Sequence, residues 1–164
     1  MRRQPTYPGY PPWMKRDSER CPECGTDWSA GLTCTRHFHQ MGAWELDNQL
    51  YAVHHLMVLS YHLQHPSLYS PQTLNDAKQM LAQFLEGGVT PQQMRQRIAR
   101  AADSSVRAHK ITGTPDSHGE YPHAVMWTMT AADVTAGGVE NFYANVREWA
   151  ASILASLRQA GEVA

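Results

Sequence analysis

A small all-α bundle of about five helices is predicted by three observations. Two segments open with the same start signal, Ser70-Pro71 and Thr90-Pro91, and the first closes on Gly87-Gly88. Near the C-terminus, Val139, Phe142, Val146, Trp149, Ile153 and Leu157 recur at three- and four-residue spacing, the clearest amphipathic pattern in the chain. Between Leu50 and Leu63 the chain is apolar around most of a helical circumference, which suits a helix in the middle of a bundle.

The totals agree with one compact domain: 164 residues, of which 42% are hydrophobic and 18% charged. The net charge of -1 forces no bulk attraction to nucleic acid or anionic membrane. No secretory pattern precedes the first cysteine, and apolar runs such as Leu56 to Leu59 are too short to cross a bilayer. A cytoplasmic location is the expectation.

Taken in order, residues 1–20 form a basic, proline-rich tail with Pro5, Pro8, Pro11 and Pro12 and the aromatics Tyr7, Tyr10 and Trp13. It reads as a tail lying over the domain or as a basic, aromatic docking arm. Residues 21–160 read as a single domain. Thr26 to Thr33 is mostly small or polar with one glycine, hence a loop. Thr35 looks like an N-cap, with Phe38, Met41 and Trp44 or Glu45 at helical spacing over about 36–46. Asp47 is the expected cap of a second helix over about 48–64, which Pro66 stops. The third helix buries Leu74, Ala77, Leu81, Phe84 and Leu85. The fourth runs from Pro91 to about residue 106, with an apolar stripe of Met94, Ile98, Ala101 and Val106. Its other face and the residues beyond it are basic: Arg95, Arg97, Arg100, Arg107 and Lys110. Residues 108–129 read as a long ordered loop, with Val125 to Met129 as a short extended piece. Thr130 and Asp133 have capping-box spacing, and the last helix is expected over about 139–159.

Cys21-Pro-Glu-Cys24-Gly is a turn of the kind that ligates metal, because two thiolates at this spacing share one ion and the glycine lets the chain turn back. Cys34 follows, making an odd count of cysteines in a chain without an export signal, which favours a metal over disulfides. A closed tetrahedral zinc site needs a fourth ligand. His37, His39, His54, His55, His62 and His65 are in range. His54 and His65 lie on nearly one face but about 16 Å apart along a helix, so they cannot share an ion. If the first two helices form an antiparallel hairpin, Cys34 comes level with His62 or His65 and His54 falls near the turn. His65, at the helix end, has the freedom to adjust to a metal. His37 and His39 compete by their closeness to Cys34, and buried free thiols are the plain alternative. The histidines His109, His118 and His123 read as solvated loop residues.

At these residues the chain resembles a bacterial family known only as a domain of unknown function. The matching residues are Cys21, Pro22, Cys24, Gly25 and Cys34, then Val53, His54, His55, Leu56, Val58, Tyr61, Leu63, Gln64, His65 and Pro66. The last helix is also similar at Val146 to Ala150, so the resemblance spans about residues 21–160. It implies three cysteines plus one histidine from the helix that holds His54 and His65, which favours Cys21, Cys24, Cys34 and His65 as the zinc ligands. It implies no activity.

Three functions follow as expectations. In the first, a structural zinc clamps an N-terminal knuckle onto the central helix of an interaction or adaptor module with a protein partner. In the second, the protein is a zinc-dependent enzyme, with His54 and Glu45 or Gln64 as polar groups beside the metal, although no HExxH or deaminase pattern is present. In the third, it is a nucleic-acid binder using Arg95, Arg97, Arg100, Arg107, Lys110 and the tail, whose aromatics would stack on bases.

Overall fold

The structure, a computed structural model, describes residues 19–103 and 118–164. Among these the regular structure is helical: α1 (Cys34–Asn48), α2 (His54–Gln64), α3 (Pro71–Glu86), α4 (Pro91–Asp103), α5 (Ala131–Ala136) and α6 (Phe142–Gln159). Short 3-10 turns at Tyr51–Val53, Pro66–Leu68 and Val139–Asn141 lead into or out of these helices. No described helix is long and apolar enough to cross a membrane.

The centre is the packing of α2 on α6, with α3 laid against both and α1 joined to α5. The apolar stripe of α6 is the main source of core: Phe142, Val146, Trp149, Ile153 and Leu157 are all buried. α2 contributes Leu56, Met57, Leu59 and Leu63, in keeping with its nearly uniform apolar character. α3 buries Thr73, Leu74, Ala77 and Leu81. Its far end is tied to the C-terminal segment by Lys78 Nζ to Glu162 Oε2 at 3.1 Å and by a forked pair from Arg158 to Glu86 at 2.5 and 2.6 Å.

Several boundaries differ from expectation. The N-cap of α1 is Thr33, whose hydroxyl accepts from Arg36 N, so Cys34 and Thr35 already lie inside the helix. Asp47 does not start a second helix. It lies in α1, which ends where Gln49 takes the left-handed conformation (φ 55°) and returns its N–H to Glu45 O. Neither glycine nor proline marks that break, so the sequence has no signal for it. α2 then starts at His54, after the 3-10 turn. The 139–159 helix likewise begins with a 3-10 turn, and α6 proper starts at Phe142. Ser70 and Pro71 start α3 as expected, Ser70 Oγ accepting from Thr73 N at 3.2 Å. The capping box is present, with Thr130 N donating to Asp133 Oδ2 at 2.7 Å, and it opens the short α5.

Residues 118–130 cross the molecule without forming a strand, and Val125 to Met129 pair with none. This segment is held by point contacts. Gly119 N donates to Tyr69 O at 2.6 Å, in a place where a Cβ would meet Leu74 Cδ2 at 2.9 Å. Tyr121 Oη donates to Leu63 O at 2.7 Å, and Gln64 Nε2 to Met129 O at 2.7 Å. Arg95, Arg97 and Arg100 are exposed on α4, and Met94 is buried beneath them. The tail to residue 18, together with Val106, Arg107, His109 and Lys110, lies outside the described residues.

Candidate metal centre

The cysteine turn is shaped by its backbone. Gly25 N donates to Cys21 O at 2.9 Å and Cys21 N to Thr26 O at 2.8 Å, closing a tight loop around the pair. Gly25 sits at φ +76°, the left-handed region where a side chain is strained, which is why the glycine follows the second cysteine. Cys34 is the first residue of α1, with Thr33 capping the helix just before it. His65 is the C-cap of α2. α1 and α2 run side by side in opposite directions, since Glu45 meets His54 at one end while Thr35 and Phe38 meet Tyr61 at the other. That arrangement brings the start of α1 level with the end of α2.

The result is a cluster of Cys21, Cys24, Cys34 and His65, all buried, with their ligand atoms within 4.8 Å of one another. A tetrahedral zinc with ordinary Zn–S and Zn–N bonds would have ligand-to-ligand edges of about 3.5–3.8 Å. The Cys24 and Cys34 sulfurs lie 3.4 Å apart.

His65 is the decisive side chain. Its Nδ1 is 2.6 Å from Tyr61 O, and only a protonated Nδ1 can donate to a carbonyl, so Nε2 carries the lone pair. That Nε2 is buried and has no hydrogen-bond partner. An unpartnered buried acceptor costs about 1–3 kcal/mol unless something else engages it. A carbonyl that fixes the ring tautomer behind a free nitrogen is the usual arrangement behind metal-bound histidine.

The thiols show the complementary need. Hydrogen bonds with Cys21 and then Cys34, followed by burial, push the Cys24 thiol far above the ordinary range. Hydrogen bonds with Cys21 and Cys24, helped by the Trp28 indole, hold Cys34 down to about 3 against the opposing effect of burial. Three adjacent sulfurs cannot all ionise without a cation among them. Burial pulls the His65 imidazole down, but the neighbouring Cys21 sulfur outweighs it and leaves the ring above its usual range. An outer layer is also present: Trp28 Nε1 donates to Cys34 Sγ at 3.4 Å, and the Thr26 hydroxyl is 3.0 Å from Cys24 Sγ. Both offer hydrogen bonds to thiolate. These residue types and their arrangement fit a bound metal ion.

The other histidines are engaged elsewhere. His37 Nδ1 is 2.7 Å from Thr135 Oγ1 and ties α1 to α5. His62 Nδ1 donates to Val58 O at 2.9 Å, and its ring lies 4.9 Å from that of Tyr69. His39 is exposed. His54 bonds Glu45 at 2.7 Å, at the opposite end of α2 from His65. The expectation that His54 and Glu45 or Gln64 would sit beside the metal is therefore corrected. Gln64 is held by Met129 and Trp149 instead. The roles of Trp28 and Thr26 were not read from sequence, where both fell in an undifferentiated polar loop.

A model for a family of unknown function, DUF5946, matches residues 19–158. The chain belongs to this family. The match takes in the cysteine turn, the whole of α2 and nearly all of α6, so the DUF5946 fold includes both halves of the cluster. No curated protein and no solved structure matches the chain.

Proposed function

We propose that this DUF5946 protein is a zinc protein whose metal is structural, and that it serves as an interaction or adaptor module. The carrying observation is His65: a buried imidazole with Nδ1 fixed on a carbonyl and Nε2 facing three sulfurs with no other partner. Three thiolates and one imidazole fill a tetrahedral sphere, leaving no position for substrate or water, which favours a structural over a catalytic metal. The ligands come from the 21–24 turn, the start of α1 and the end of α2, so one ion would clamp three otherwise separate pieces of chain. Thiolate-rich sites favour zinc over hard cations. The surface that does the work then lies away from the metal.

The test is metal content of protein purified without added metal, for the native chain and for His65→Ala, His54→Ala and His39→Ala. One zinc per chain is expected in native protein and in the last two variants, with His65→Ala metal-free or readily stripped by a chelator. Retention of zinc by His65→Ala would remove the fourth ligand and reopen the enzyme reading. Native protein without metal would overturn the proposal.

A further inference from the structure

The end of α2 remote from His65 carries a second built feature, and nothing in the metal reading uses it. Glu45 is 3% exposed, yet it bonds the Nδ1 of His54, which is 48% exposed, at 2.7 Å. The other oxygen of Glu45, Oε1, is buried with no partner. A buried carboxylate with one oxygen unsatisfied is costly, and the fold gains little from its bond to a half-exposed ring. What the pair does achieve is to orient the imidazole, with Nδ1 turned inward and Nε2 outward.

His54 lines an open cleft of about 770 Å³ between α1, α2 and α4, within the size range of small-molecule sites. Its walls are mostly apolar, from Phe38, Leu46, Tyr51 and Met57. Leu46 and Tyr51 remain 68% and 51% exposed, apolar area that the fold leaves uncovered. The polar groups in the cleft are the Glu45–His54 pair, His39, His55 and Arg95. Because Glu45 is matched to His54, Arg95 is the unbalanced charge, and it has no ion-pair partner among the described residues. His55 is held below its usual range by burial first, then by His54 and Arg95, which marks a cationic field there.

Gly42 adds an independent sign. It lies within α1, lines the same cleft, and a Cβ built on it would meet nothing within 4 Å. Glycine in a helix interior is unfavourable relative to alanine, and no packing neighbour or backbone angle requires it here. What its missing methyl preserves is space in the cleft.

We propose that this cleft binds a small organic oxyanion, its carboxylate or phosphate held by Arg95 and by the outward Nε2–H of a His54 ring whose Nδ1–H stays on Glu45, and its apolar body on Phe38, Leu46 and Tyr51. Glu45 is a positioning residue that acts through His54. The site is about 16 Å along α2 from His65 and is independent of whether a metal is bound.

The test uses the full chain, purified with zinc present, and follows amide and imidazole NMR shifts. The probes are indole-3-acetate and phenyl phosphate, with indole-3-acetamide and phenol as their neutral counterparts and inorganic phosphate as the bodiless anion. Saturable shifts confined to the cleft are expected for at least one organic anion, and whichever binds identifies the oxyanion. Binding should weaken about tenfold for the neutral counterpart and about tenfold in Arg95→Gln, the loss expected for one charge-assisted contact. Inorganic phosphate should bind more weakly than the organic anion. Gly42→Ala should weaken binding while raising Tm by about 2–4 °C, so that its effect cannot be ascribed to misfolding. In the complex the imidazole nitrogen shifts should report both nitrogens of His54 as N–H, one donating to Glu45 and one to the ligand, and Glu45→Ala should lose that state.

The proposal is overturned if neither anion saturates by about 10 mM, where even a millimolar ligand would. Equal affinity for anion and neutral counterpart, or for native protein and Arg95→Gln, would overturn the oxyanion assignment. A His54 ring that carries a single proton in the complex would remove the role of Glu45.

Discussion

His65 and Gln64 are neighbours at the end of α2 with opposite tasks. His65 turns to the sulfurs, while Gln64 turns into the core and is fully buried. Its Nε2 donates to Met129 O at 2.7 Å and its Oε1 accepts from Trp149 Nε1 at 3.1 Å. One amide thereby joins the crossing segment, α2 and the largest side chain of α6. Gln64→Leu keeps the volume but strands a buried indole N–H and a carbonyl, each costing about 1–3 kcal/mol. We expect a loss of about 2–4 kcal/mol in urea unfolding, with metal content unchanged. A change well below about 1 kcal/mol would mean that water or a rearranged partner satisfies those groups. From sequence, helix geometry and the family resemblance could favour His65, but His62, His37 and His39 stayed open until the helices were placed. The task of Gln64 could not be read at all, because its partners lie 65 and 85 positions away and neither spacing nor composition points to them.

Among elements, the 19–34 segment depends most on its neighbours. Its only β-like feature is the isolated bridge between Arg20 and Asp27. Besides the sulfurs it is held through Glu23. The Glu23 carboxylate accepts from Ser67 N and Ser67 Oγ, both at 3.0 Å, and its carbonyl accepts from Trp127 Nε1 at 3.1 Å. Glu23 thus joins the cysteine turn to the chain just past His65 and to the crossing segment. Glu23→Ala should cost about 1–3 kcal/mol, the range for hydrogen bonds to a charged group, and should speed metal loss to a chelator several-fold. Unchanged chelation kinetics would show that the ligands alone hold the turn. At this scale the sequence was read well where caps and prolines mark the ends, at Ser70-Pro71 and Thr130. It was read poorly at Gln49, where α1 ends on a left-handed residue that carries no compositional mark.

For the molecule as a whole, α2, α3 and α6 supply most of the apolar core, which the three cysteines join, whereas the 19–34 segment has few other holds, one of them Trp127 Nε1 on Glu23 O. Chelation should therefore act unevenly. Hydrogen exchange is expected to rise strongly in 19–34 and around Trp127 while the amides of α2 and α6 stay protected, a sub-global opening. Uniform loss of protection would instead make the metal a condition for folding the entire bundle.

The sequence alone determined the helical class, the start signals, the stripe of α6 and the three cysteines as a set, because all of these rest on local spacing or on side-chain chemistry. Tertiary structure decided which histidine joins the cysteines, that Glu45 stands behind His54, and that a cleft lies between α1, α2 and α4. Each of these depends on how two or more helices are placed against one another. That placement follows from the packing of buried faces over the whole chain and leaves no mark in any single segment.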